Sequence, residues 1–124
     1  MESKHIASFL RAAKERIEDP NDWCQGFLAV NNDGGEVPPN SKNAVRWCAT
    51  GSLNVPAFDW GGFDILEAVA RQMLAERGVE NTDTDLCNAA FLNDTFGHAA
   101  VMELYGRAIA CAEQEGDDAL HPYP

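Results

Sequence analysis

Apolar residues recur every three or four positions through the first segment, where Ile6, Phe9, Leu10, Ala13 and Ile17 share one helical face. With Ser3 available as a cap, this spacing predicts a helix over about 3–18, and the Asp-Pro-Asn-Asp run at 19–22 ends it. The rhythm then changes. Phe27-Leu28-Ala29-Val30 is a short apolar run followed by Asn-Asn-Asp-Gly-Gly, which predicts a hairpin near 27–37. Helical spacing resumes at Ala44, Val45, Cys48, Ala49 and Leu53, giving an expected helix over about 42–54 that starts at Asn40 or Ser41. Phe63, Leu66, Val69, Ala70, Met73 and Leu74 mark a third helix that stops at Gly78. A short helix with Leu86, Cys87, Ala90 and Phe91 follows, capped by Thr84 or Asp85 and interrupted at 92–97. The last helix is expected over about 98–115, with Val101, Leu104, Tyr105, Ala108, Ile109 and Ala112 in phase.

These elements predict a mainly α fold, a compact single-domain bundle of about five helices with one short β-hairpin near 27–37. Residues 1–115 form the helical domain, and 116–124 are an acidic tail containing prolines. A chain of 124 residues can bury one core. No apolar run approaches the roughly 20 residues of a bilayer span. Glu2 precedes the first apolar residues, so the start does not read as a signal peptide, and the cytoplasm is the expected compartment.

Charge changes the picture more than length does. The net charge is −11, and it is unevenly spread. Residues 1–58 carry six Lys/Arg against seven Asp/Glu, whereas residues 59–124 carry three against thirteen. Direct nucleic-acid binding is therefore not expected, because it rests on cationic residues that displace counterions from phosphates. A protein partner with a basic surface is expected instead. Two acidic clusters are the candidate partner-binding residues: Glu76, Glu80, Asp83 and Asp85 around one connection, and Glu113, Glu115, Asp117 and Asp118 near the C-terminal end.

Four cysteines raise the question of thiol chemistry. Two of them follow tryptophan, as Trp23-Cys24 and Trp47-Cys48, and none forms a Cys-x-x-Cys pair. No close ligand pair anchors a metal site, and no phosphate loop is present, so neither metal nor cofactor is expected. A Cys-His enzyme would use Cys24 or Cys48 as nucleophile, His98 as base and Asn93 or Asp94 to orient the histidine. Of the two thiols, Cys48 falls on the predicted buried stripe, where a thiol loses reactivity, which leaves Cys24 the freer candidate. Trp23, Cys24, Trp47, Cys48 and Gly51 are expected to be structural core, with Gly51 admitting another segment close to its backbone. The Asn93-Asp94 pair is expected to cap or turn the chain at a helix break.

Trp23-Cys24-Gln25-Gly26, Arg46-Trp47-Cys48-Ala49-x-Gly51-x-Leu53 and Asn93-Asp94, in that order, resemble a family of small bacterial and phage proteins defined as a domain of unknown function. The similarity runs from the first helix to about residue 112. Leu92 stands where the pattern has an aromatic residue, and the acidic tail lies outside it. The resemblance implies a helical fold and a bacterial or phage origin, and no activity.

The expected function is a non-enzymatic acidic protein-binding module, of the kind a phage encodes to inhibit a host defence or nucleic-acid-binding complex, acting through its acidic second half. The alternative is a small Cys-dependent hydrolase or transferase using Cys24 and His98. A third reading is a small-ligand binder using the Trp23/Trp47 region.

Overall fold

A computed structural model describes the backbone over residues 2–55, 58–82 and 85–120, and side chains over 5–55, 58–82 and 85–114. Among these residues the order is α1 (Glu2–Arg16), a 3-10 turn (Pro20–Asp22), β1 (Ala29–Val30), β2 (Arg46–Trp47), α2 (Ala49–Ser52), α3 (Trp60–Glu76), α4 (Asn88–Phe96) and α5 (His98–Leu120). The fold is mainly α with a small two-stranded sheet, as its spacing predicts.

The first stripe buries Ala7, Leu10, Ala13 and Ile17. It packs on α5, which also covers α3 and α4. Leu66, Met73, Leu92, Val101, Leu104 and Tyr105 complete a continuous core with no side-chain exposure. Asp59 caps α3 by accepting the Gly62 N–H at 3.1 Å, which explains why that helix begins at Trp60.

Four expected boundaries change. The helix expected over 42–54 is confined to Ala49–Ser52, while Arg46–Trp47 form a strand antiparallel to Ala29–Val30. Apolar spacing at 44–53 fits both arrangements, and the partner decides: Val30 O accepts from Val45 N at 2.9 Å and Leu28 O from Cys48 N at 3.1 Å. Ser41 accordingly closes a local turn, its Oγ accepting from Asn43 N at 3.0 Å. The hairpin is also wider than its Asn-Asp-Gly turn suggested. The partner of β1 is 46–47, and residue 36 contributes one bridge to Val30.

The interruption expected at 92–97 does not occur, because α4 runs through Phe96 and breaks only at Gly97, φ 90°. Its N-cap is Cys87, which makes no side-chain cap; Glu67 of α3 supplies one, accepting Asn88 N at 2.9 Å and Ala89 N at 2.7 Å. Thr84, one of the two residues expected to cap, lies outside the described residues. At the other end, α5 continues past 115 to Leu120, into the segment expected to be tail.

Candidate functional site

The three sequence motifs meet at one side chain. Asn93, on the inner face of α4, is fully buried. Its Oδ1 accepts from Trp23 Nε1 at 2.7 Å and from Ala49 N at 2.9 Å. Its Nδ2 donates to Cys24 O at 3.1 Å and to Asp94 Oδ1 at 3.0 Å. Two acceptor positions and two donor hydrogens are all a carboxamide has, so Asn93 is saturated. This also explains why it sits in mid-helix rather than at a break. Its side chain bonds to other segments, and so does not compete with the helix for backbone groups.

The neighbours close the same knot. Asp94 Oδ1 accepts from Gly26 N at 3.0 Å, and Gln25 Nε2 reaches Asn93 O at 3.0 Å. Gly26 holds φ 86°, a conformation that glycine adopts without steric cost. Cys24 N donates to Trp47 O at 3.1 Å, and Trp47 Nε1 donates to Pro39 O at 3.0 Å. Cys48 is the N-cap of α2, its Sγ accepting from Gly51 N at 3.2 Å. Gly51 lies against Leu28; a Cβ there would overlap the Leu28 carbonyl oxygen and stand 2.6 Å from its carbon. Tyr105 OH reaches across from α5 to Ala49 O at 2.6 Å. Cys48 and Gly51 are buried, whereas Trp23, Cys24 and Trp47 are half-buried, the two tryptophans packing against the core.

The groups named for catalysis are engaged elsewhere in this arrangement. The nearest hydrogen-bond partner of Cys24 Sγ is Phe27 O at 3.5 Å, and His98 Nε2 meets Ile17 O at 2.8 Å. The His98 ring stands edge-on to Trp23, centroids 5.4 Å apart. Burial pushes the Cys24 thiol up to about 12, with Cys48 and Asp94 adding to it and Arg46 opposing. Burial raises Cys48 to about 11 despite the opposing N–H groups of Gly51 and Thr50, and it raises Cys87 as well. At neutral pH these three are thiols, the unreactive form. Among the described residues no three His, Cys, Asp or Glu side chains gather closely enough to hold a metal ion.

The acidic candidates divide. Glu76 pairs with Arg107 at 3.0 Å, and Arg107 also holds Glu103 at 2.6 Å. The Arg107 hydrogen bond holds the Glu76 carboxyl below its ordinary value. Glu113 pairs with Arg11 of α1. Glu80 is exposed beside Arg71 in a hollow of about 510 Å³ that Asn81 and Asn88 also line. Asp83 lies outside the described residues, as do the side chains of Glu115, Asp117 and Asp118 on the last turns of α5. Asp85 is exposed and faces a different cavity.

That cavity is a cleft of about 440 Å³ beside the knot. Phe27, Leu28 and Phe63 give it apolar walls, and the exposed carboxylates Glu36, Asp85 and Asp94 reach it from three separate segments. No Lys, Arg or His lines it among the described residues. Thr50 and Cys87, with Oγ1 and Sγ 3.6 Å apart, lie between the walls. Phe27 is 45% exposed and Leu28 41%, two of the three large hydrophobic side chains left exposed among the described residues. Phe27, Leu28, Glu36 and Cys87 were not distinguishable as site residues by pattern. The one available cue was the four-residue run 27–30, too apolar for a loop, whose last two residues alone are buried.

The model of a family of unknown function, DUF6197, matches residues 1–111, and the chain belongs to that family. No curated protein and no solved structure matches the chain. No helix among the described residues is long and apolar enough to cross a membrane.

Proposed function

We propose that the protein is a non-enzymatic binding module for a basic protein partner, and that it meets the partner at the cleft beside the Asn93 knot. The observation that carries this reading is the cleft's composition: apolar walls, three exposed carboxylates and no lining cation. An apolar side chain flanked by Lys or Arg fits such a lining, since the apolar part gains burial and the charges are complementary. The surface differs from the one the charge runs suggested. Glu76 and Glu113 are already matched by arginines of the same chain. Supporting the class of partner is the net charge of −11, which favours encounter with a basic surface such as the groove of a nucleic-acid-binding complex. A cytoplasmic inhibitor of phage origin is the setting we propose for it.

The test is a titration with a labelled peptide carrying one leucine between arginines, at low and high ionic strength. Binding is expected to weaken as salt rises, and Glu36→Lys and Asp85→Lys are each expected to weaken it by roughly three- to tenfold at low salt. Glu80→Lys, an exposed carboxylate away from the cleft, serves as the control and leaves affinity within about twofold. Binding that ignores salt, or that responds equally to Glu80→Lys, would overturn the assignment.

A further inference from the structure

The cleft has an aromatic extension that the binding reading does not use. Trp60, the first residue of α3, is 70% exposed, the largest exposed hydrophobic side chain among the described residues. It is not an isolated surface residue. Its ring stands edge-on to Phe58, centroids 4.7 Å apart, and to Phe63, centroids 5.8 Å apart. Phe63 is itself a wall of the cleft. The third large exposed hydrophobe is therefore continuous, through one ring, with the cleft that holds the other two. Two edge-on contacts fix the indole's position while most of its surface stays in water. One helical turn further, Asp64 is exposed on the same face of α3, at the i,i+4 spacing that makes helix neighbours.

An indole face next to a carboxylate is a site for a cation, because the ring quadrupole and the negative charge attract the same ligand. From this we infer that Trp60 and Asp64 form a second subsite, taking a Lys or Arg of the same partner segment whose apolar residue fills the cleft. The inference rests on the cleft being a partner site. The spacing sets the partner's pattern. In an extended chain, side chains two residues apart point the same way and are separated by about 6.5–7 Å. Phe63, a wall of the cleft, and Trp60 stand 5.8 Å apart between centroids, so one step of roughly that length carries a segment from the cleft to the indole. The occupant is thus an extended basic peptide segment with an apolar residue and a cationic residue at positions i and i+2. Charge complementarity selects this occupant: Glu36 and Asp94 reach the cleft, no Lys, Arg or His lines it among the described residues, and Asp64 is exposed on the face of α3 that carries Trp60.

The probe is an acetylated, amidated peptide reading Arg-Leu-Ser-Arg, compared with the same peptide ending in citrulline and with Arg-Leu-Arg-Ser, which shifts the cation by one position. Binding is read from tryptophan emission and from anisotropy of a labelled copy. Trp60→Ala is expected to weaken the parent peptide by roughly three- to tenfold, Trp60→Phe less, and Asp64→Asn by about twofold. The citrulline and shifted peptides are expected to bind wild type as weakly as the parent binds Trp60→Ala. Because Trp60 is largely in solvent, circular dichroism of the variants should match wild type. If the parent peptide binds and Glu36→Lys weakens it while Trp60→Ala does not, the second subsite is overturned and the cleft reading survives. If the parent peptide does not bind wild type at all, the cleft reading falls and the subsite falls with it.

Discussion

Residues 23–26 and residues 27–28 are consecutive, yet they belong to two different regions. In the first, Trp23, Gln25 and Gly26 donate into Asn93 and Asp94, and the Cys24 carbonyl accepts from Asn93. In the second, Phe27 and Leu28 turn apolar side chains into solvent at the cleft, although the Leu28 backbone is pinned against Gly51. In the first region the Asn93 carboxamide is saturated, and in the adjacent one two large apolar side chains are left exposed. The contrast separates two properties that are easily confused in a sequence. Motif residues can be there to hold a fold, and the surface they hold in place can be the part that meets a partner. The charged groups differ as well: Glu76, Glu103 and Glu113 are matched by arginines, whereas no Lys, Arg or His lines the cleft among the described residues.

Gly51→Ala should break the contrast most severely. The new Cβ meets backbone rather than a flexible side-chain end, so β1 and α2 must separate and both regions are lost together. A destabilisation of about 3 kcal/mol or more is expected, read by chemical denaturation. Asn93→Ala should cost nearly as much, about 2–4 kcal/mol, because it leaves Ala49 N, Trp23 Nε1 and Cys24 O without their partner in or near the core. By contrast, the Trp60 and cleft substitutions tested above should change peptide affinity and leave the denaturation midpoint close to wild type. A large loss of stability from those would merge the two regions into one.

The smallest effect at neutral pH concerns the thiols. Cys24 and Cys48 titrate higher in the folded protein, at about 12 and 11, than the ordinary value of 9.0. Above pH 9 the unfolded chain releases these protons and the folded one retains them, so stability should be intact below 9 and fall as pH rises towards 11–12. Cys24→Ser with Cys48→Ser should flatten that alkaline fall. Alkylation of native protein at pH 7 should be slow at both thiols; rapid, selective labelling of Cys24 would instead favour thiol chemistry at the knot.

Much of the fold was legible because it rests on periodicity. The stripes of α1, α3 and α5 are local properties of sequence, and each is realised within two or three residues at its start; the Asp59 cap of α3 had no such expectation. The stretch 42–54 was misread because its apolar spacing suits a strand followed by one helical turn as well as a helix. Only the hydrogen bonds that Val45 N and Cys48 N donate to the Val30 and Leu28 carbonyls, far away in sequence, decide between them. The same non-local cause put Asn93 inside α4 and made Glu67 the cap of that helix.

By itself, the sequence determined the helical class, the acidic character and the family, since these depend on composition, period or the order of residues along the chain. Tertiary structure decided which polar groups are consumed and which remain. Burial and hydrogen bonding depend on neighbours brought together from afar, at Asn93 across 44 to 70 positions of chain. That is why the Trp-Cys pairs became a knot around Asn93, and why Phe27, Leu28 and Trp60 became the large hydrophobic side chains left exposed among the described residues.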